Sequence, residues 1–175
     1  MIKLERRKIL DNYIHNKAAV FIDYENINFI ALETSEILTG VSELLVNRII
    51  DNLSSGVTVC VHTSDLIANF DGFSEDSFNA ELTKEKFASM ITDFLAILTQ
   101  KVTSIIDVVL VTLGGETSYK CCKAIDSNEL QLIDEVVPAI SICLDIKRKW
   151  IITKSGNLGN SNTLIEILNY LERHE

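Results

Sequence analysis

The sequence predicts an α/β fold: one domain with a layered sheet, mostly parallel and with a mixed sheet as the alternative, flanked by helices. Short apolar runs recur along the chain, and several end in glycine, hydroxyl or acidic residues, as Ala18–Asp23, Val57–His62, Val108–Leu113 and Trp150–Thr153 do. Between them lie amphipathic stretches with a 3.6-residue apolar period, which predict helices. Finally, 175 residues with 47% hydrophobic content and a mean hydropathy of +0.20 suffice for one buried core.

Ala18 to Asp23 reads as a short apolar strand ending in an acid, followed by Tyr24-Glu25-Asn26. Asp23 with an acid two residues on suits a metal, as in nuclease-like folds, and this is the sharpest rival reading. The plainer one is that Asp23 caps the loop, since no carboxylate cluster follows at other strand ends. Thr39 to Leu53 predicts a helix with Val41, Leu44, Leu45, Ile49 and Leu53 on one stripe and Thr39 or Ser42 near its start. Ser54-Ser55-Gly56 ends it.

Val57 to His62 is the next strand, with Thr63-Ser64-Asp65 at its exit, where ligand groups gather in open α/β sheets. His62 has no nucleophile signature beside it and is expected to pack or cap. Residues 66 to 82 read as a partly ordered loop. Thr83 then opens the longest helix, with Phe87, Met90, Ile91, Phe94, Leu95, Leu98, Val102 and Ile105 on its inner stripe.

Val108 to Leu113 runs into Gly114-Gly115-Glu116-Thr117-Ser118. Paired glycines permit φ > 0 and close approach of a ligand to bare peptide groups. Thr117 or Ser118 is expected to start the following helix, over Tyr119 to Ile125, whose free N–H groups would make an anion site suited to phosphate. Leu130 to Leu144 predicts one or two strands around Pro138, the chain's single proline. Trp150 to Thr153 is the last strand, and it runs into Lys154-Ser155-Gly156-Asn157-Leu158-Gly159. Leu164 to Leu171 closes the chain as a helix with Ile165, Leu168 and Leu171 inward. The two glycine turns hold four of the seven glycines. Neither is a Walker A loop or a Gly-x-Gly-x-x-Gly turn, so spacing alone leaves the ligand open.

In their order and spacing, Gly114-Gly115-Glu116-Thr117-Ser118, Glu135-Val136-Val137-Pro138 and Lys154-Ser155-Gly156-Asn157-Leu158-Gly159 resemble the C-terminal nucleotide-binding domain of the four-carbon acid sugar kinase family. Ser55 to Ser64 resembles that domain's strand ending in Thr-Ser, and the resemblance covers residues 18 to 172. It implies that Ser64, Gly114, Gly115, Glu116, Thr117, Ser118, Lys154, Ser155, Gly156, Asn157 and Gly159 contact ATP with Mg²⁺. The glycine amides would cradle phosphates, Lys154 would offset charge that builds in transfer, and Glu116 would meet a metal or a ribose hydroxyl. Ala139 stands where the family has glycine after the proline, and Leu158 replaces a phenylalanine.

The resemblance further implies an ATP-dependent phosphotransferase acting on threonate, erythronate or oxo-tetronate. This chain would be the nucleotide-binding half, working with a sugar-binding domain in cis or in trans. Residues 1 to 17 are then a helix or connector and 18 to 175 the nucleotide-binding domain. A nucleotide-responsive or structural domain without catalysis is the alternative from another class.

Charge and cysteine usage bound the partners. The net charge of -9 is split between +3 in residues 1 to 17 and -12 beyond, which argues against nucleic acid or an anionic membrane. No apolar run approaches the ~20 residues of a membrane helix. The leader lacks the apolar core of a secretory signal. Cys60, Cys121, Cys122 and Cys143 form no Cys-x-x-Cys pair and read as buried free thiols in a cytoplasmic protein. A homo-oligomer is compatible with all of this.

Overall fold

The structure is a computed structural model that describes residues 18–24, 26–63, 66, 83–154 and 163–173. Seven strands form one sheet in the order β2-β3-β1-β4-β7-β6-β5: β1 (Ala18–Tyr24), β2 (Asn26–Ala31), β3 (Val57–His62), β4 (Val109–Leu113), β5 (Leu130–Val137), β6 (Ile140–Asp145) and β7 (Trp150–Lys154). The described helices are α1 (Thr34–Thr39), α2 (Glu43–Ser54), α3 (Lys84–Thr103), α4 (Gly115–Ala124) and α5 (Thr163–Arg173).

The layered α/β sheet is present in its mixed form. β2–β3 and β4–β7 pair parallel, whereas β1 runs against both β3 and β4, and β5–β6–β7 is an antiparallel meander. Alternation divides the core into two layers. Phe21, Val61, Leu110 and Ile151 face α2, α3 and α4 together with Ile49, Leu95 and Cys121. Val20, Val111, Leu113 and Ile152 face α5 with Leu164, Ile167 and Leu171. Strands covered on both faces explain the near-continuous apolar runs of β3 and β4.

Local chemistry sets the boundaries. Ser42 accepts from the Leu45 N–H at 3.2 Å and Thr83 from the Lys86 N–H at 3.2 Å, so the expected caps open α2 and α3. Thr39 instead ends α1, a short helix absent from the sequence-based expectation, as is β2. In α2 the inner stripe passes through Leu45, Val46, Ile49 and Leu53, while Leu44 is 81% exposed. Ile105 lies beyond the end of α3 and points to solvent. In α5, Leu164, Ile167 and Leu171 are buried, and Ile165 and Leu168 pack at the margin of the layer.

The segment around Pro138 forms two strands joined by a turn in which Ala139 has φ 72°. That is the left-handed region in which only glycine is free of strain, which gives the glycine of the related pattern its physical reason. The loop expected over 66 to 82 lies outside the described residues except for Leu66, which is buried.

Candidate functional site: a glycine turn at converging strand ends

Three strand ends are brought into line by the antiparallel insertion of β1. Ala18 pairs with His62 of β3 on one side and with Leu113 of β4 on the other, and Leu113 pairs with Lys154 of β7. β3, β4 and β7 therefore all deliver their carboxyl ends to one edge of the sheet, the position where open α/β sheets bind ligands. The β5–β6 turn reaches the same edge, because Ile140 pairs with Lys154.

Gly114 is the N-cap of α4, with φ 103° and no capping side chain. The helix begins at Gly115, earlier than the expected start at Thr117 or Ser118, because the glycine itself supplies the turn. Gly114 N–H donates to the Lys154 carbonyl at 3.0 Å, which ties the two glycine-bearing segments together. Gly115 and Glu116 are exposed, while Thr117 is fully buried in the first turn.

The Thr117 hydroxyl has no hydrogen-bond partner among the described residues. A Cβ built on Gly114 would lie 3.4 Å from it, so this oxygen sits directly beneath the glycine turn. An unmet buried hydroxyl costs about 1–3 kcal/mol, which a ligand oxygen at the helix start would relieve.

The neighbouring side chains are already engaged. Ser118 Oγ donates to the Gly114 carbonyl at 2.9 Å and accepts from Thr112 Oγ1 at 2.8 Å, so it braces the turn. Glu116 is drawn toward α3, where Thr92 Oγ1 donates to its Oε1 at 3.3 Å, and it lies 3.5 Å from Lys120 Nζ. Desolvation works against the charge on Lys120, yet Asp93 at 2.7 Å and Glu116 outweigh it and raise its pKa.

Lys154 is buried, and desolvation holds its pKa below the ordinary lysine value. It lies on the α5 side of the sheet, in alternation with Ile152. His62 is buried edge-on to Phe29, with ring centroids 6.3 Å apart, and packs as expected.

Of the expected site residues, the structure gathers Gly114, Gly115, Glu116, Thr117, Ser118 and Lys154 at this edge. Ser64, Ser155, Gly156, Asn157 and Gly159 lie outside the described residues, as does the Asp23 side chain. Thr63, one residue before Ser64, is fully buried at the end of β3. Sequence reasoning missed Thr112, the brace for Ser118, and Thr153, its partner across the parallel β4–β7 pair. A threonine two residues before Gly114 was the available signal in the first case.

Among the described residues, no group of three His, Cys, Asp or Glu side chains is placed to hold a metal ion. The four cysteines are buried free thiols, and burial pushes Cys60 and Cys121 up to about 12. No described helix is long and apolar enough to cross a membrane.

A glycine-opened helix thus stands over converging strand ends of an α/β domain. The chain belongs to the family of nucleotide-binding C-terminal domains, whose model matches residues 16–164. It is similar in fold to a Haemophilus influenzae protein of family DUF1537, with a TM-score of 0.59 and 14% identity over 81% of this chain and 34% of that one. It is similar also to a protein described as a tRNA synthase from Salmonella typhimurium, with a TM-score of 0.53 and 11% identity over the same shares. The chain thus spans about a third of the length of these structures. Comparison with curated proteins gives no match. The resemblance to the nucleotide-binding domain of the four-carbon acid sugar kinases is borne out at the level of family.

Proposed function

We propose that this domain binds the polyphosphate of ATP across Gly114, Gly115 and Thr117, as the nucleotide-binding half of a cytoplasmic kinase for four-carbon sugar acids. The observation that carries the reading is the buried Thr117 hydroxyl, without a partner among the described residues, beneath an uncapped glycine turn. The first amides of α4 offer donors to phosphate oxygens, and the helix dipole favours the negative charge. Ser64 and the Ser155–Gly159 segment, which follow β3 and β7 in sequence, are assigned to the nucleotide by the family resemblance alone. Lys154, buried beside the turn, offsets charge on the transferring group.

The donor set does not suit a protein-held Mg²⁺ cage, since Glu116 is committed to Thr92 and Lys120. A magnesium ion would instead be carried chiefly by the phosphates, as is common at such sites. The sugar acid and the base for its hydroxyl are assigned to a separate domain in cis or in trans, because transfer requires both substrates to be positioned together.

Thermal melts with ATP or ADP, with and without Mg²⁺, test the nucleotide reading. A ligand at about a hundred times its Kd should stabilise by about 2.7 kcal/mol. No shift at millimolar nucleotide would sink it. ADP release with threonate, erythronate or oxo-tetronate should be absent for this chain alone. Turnover on the order of 1 s⁻¹, ordinary for kinases, would show that the catalytic base lies within it.

A further inference from the structure

A cavity of about 220 Å³ lies along α4, lined among others by Ser118, Tyr119, Cys122, Asn128, Leu130 and Thr153. We propose that it is the subsite for the nucleobase of the bound nucleotide, an inference that rests on the phosphate site proposed above. Two lining residues join it to the glycine turn. Ser118 is hydrogen-bonded to the Gly114 carbonyl, and Thr153 directly precedes Lys154, whose carbonyl receives the Gly114 N–H. A ligand with phosphates on the turn therefore enters the cavity without leaving the protein surface.

α4 is built with two different sides. Glu116, Lys120 and Cys121 are bonded to α3 through Thr92, Asp93, Ser89 and Thr99. Ser118, Tyr119, Cys122 and Lys123, at helical spacing on the other side, line the cavity instead. From Ser118 to Lys123 the helix rises about 7.5 Å. This leads from the phosphate end to Asn128.

Size and chemistry select a base. Pockets for whole drug-sized ligands run to about 300–1,000 Å³, so this one takes part of a nucleotide and leaves the phosphates outside. Tyr119 is 66% exposed, an aromatic available for stacking, and the Lys123 ammonium lies 5.8 Å from its ring centroid. Cys122 and Leu130 supply apolar walls, and the Asn128 amide offers both a donor and an acceptor to a base edge. A four-carbon sugar acid would find poor company here, with a single cation already over a tyrosine and no guanidinium to grip its carboxylate.

Calorimetric titration of the full chain with ATP, adenosine and inorganic tripolyphosphate separates the two readings. Tyr119→Ala removes an exposed ring, and loss of base stacking should weaken ATP and adenosine about tenfold while tripolyphosphate binds as before. Leu130→Trp, which fills the cavity, should act in the same direction. ATP binding untouched by both substitutions would overturn the base subsite and leave the phosphate site standing. Equal weakening of ATP and tripolyphosphate would also overturn it. If wild-type chain binds neither ATP nor tripolyphosphate, the phosphate reading fails and the base subsite falls with it.

Discussion

The starts of α2 and α4 meet the same physical demand in opposite ways. Both helices leave their first N–H groups without intrahelical partners. At α2, Ser42 closes the end with its own hydroxyl. At α4, Gly114 offers no side chain, Ser118 is spent on the Gly114 carbonyl, and the Thr117 hydroxyl is buried without a partner among the described residues. The comparison teaches that one helix start is satisfied by its own side chain, whereas the other, its backbone shaped by glycine, has no capping side chain and is the end proposed to take a ligand.

The largest effect should come from the glycines themselves. Gly115 has nothing within 4 Å of where a Cβ would stand, so Gly115→Val should change stability by no more than about 0.5 kcal/mol. It should nonetheless weaken ATP tenfold or more, about the loss of one hydrogen bond to a charged group. Gly114→Ala differs, because φ 103° strains any residue with a Cβ, and it should lower stability by about 1–3 kcal/mol along with binding. Urea melts beside calorimetric titrations check both. Equal loss of fold and binding in Gly115→Val would reduce the turn to a plain connection.

Hydroxyl removal at the two helix starts should give opposite signs. Thr117→Val deletes an unmet buried oxygen at nearly constant shape. Stability should rise by about 1 kcal/mol, with ATP affinity down about tenfold. Ser42→Ala should cost about 1 kcal/mol of stability and leave ATP affinity alone. The same melts and titrations decide, and a Thr117→Val protein that binds ATP normally would break the contrast.

The smallest effect concerns Lys154. Its folded pKa lies below the unfolded one, so the unfolded chain binds more protons in the window between them. The Lys154 contribution should therefore be unfavourable below the folded value and fade as pH rises through the unfolded value near 10.4. Lys154→Met should flatten that rise in urea-melt stability on the alkaline approach to the unfolded lysine value. An unchanged pH profile would show that the ammonium is not desolvated.

Much of this was legible in the sequence where one local rule governs. Thr83 before an apolar 3.6 period fixes α3, and apolar runs give β3, β4 and β7. β2 escaped because Asn26-Ile27-Asn28-Phe29 alternates only briefly and gains its place by pairing with β3, a contact remote in sequence. The direction of β1 is likewise a tertiary choice that no propensity reports. Leu44 and Leu45 cannot be told apart by stripe alone, since either fits one face until α3 and the sheet fix the rotation. At the site, glycines and hydroxyls were readable, but their division of labour was not. Ser118 proves to be a brace and Glu116 a tie to α3 because Thr112 and Thr92 stand opposite them.

The placement of β1 also bears on how the chain reaches this state. Phe21 is matched with Val59 on one side and Leu110 on the other, so the middle of the sheet is made from segments that emerge far apart during synthesis. The β5–β6–β7 meander needs only short-range closures and should form early once its residues are present. Joining across β1 carries the larger loop-closure entropy and slows the reaction. The ligand edge is complete only when β4 and β7 lie side by side, so nucleotide present during refolding should act late, holding the finished sheet rather than speeding its assembly.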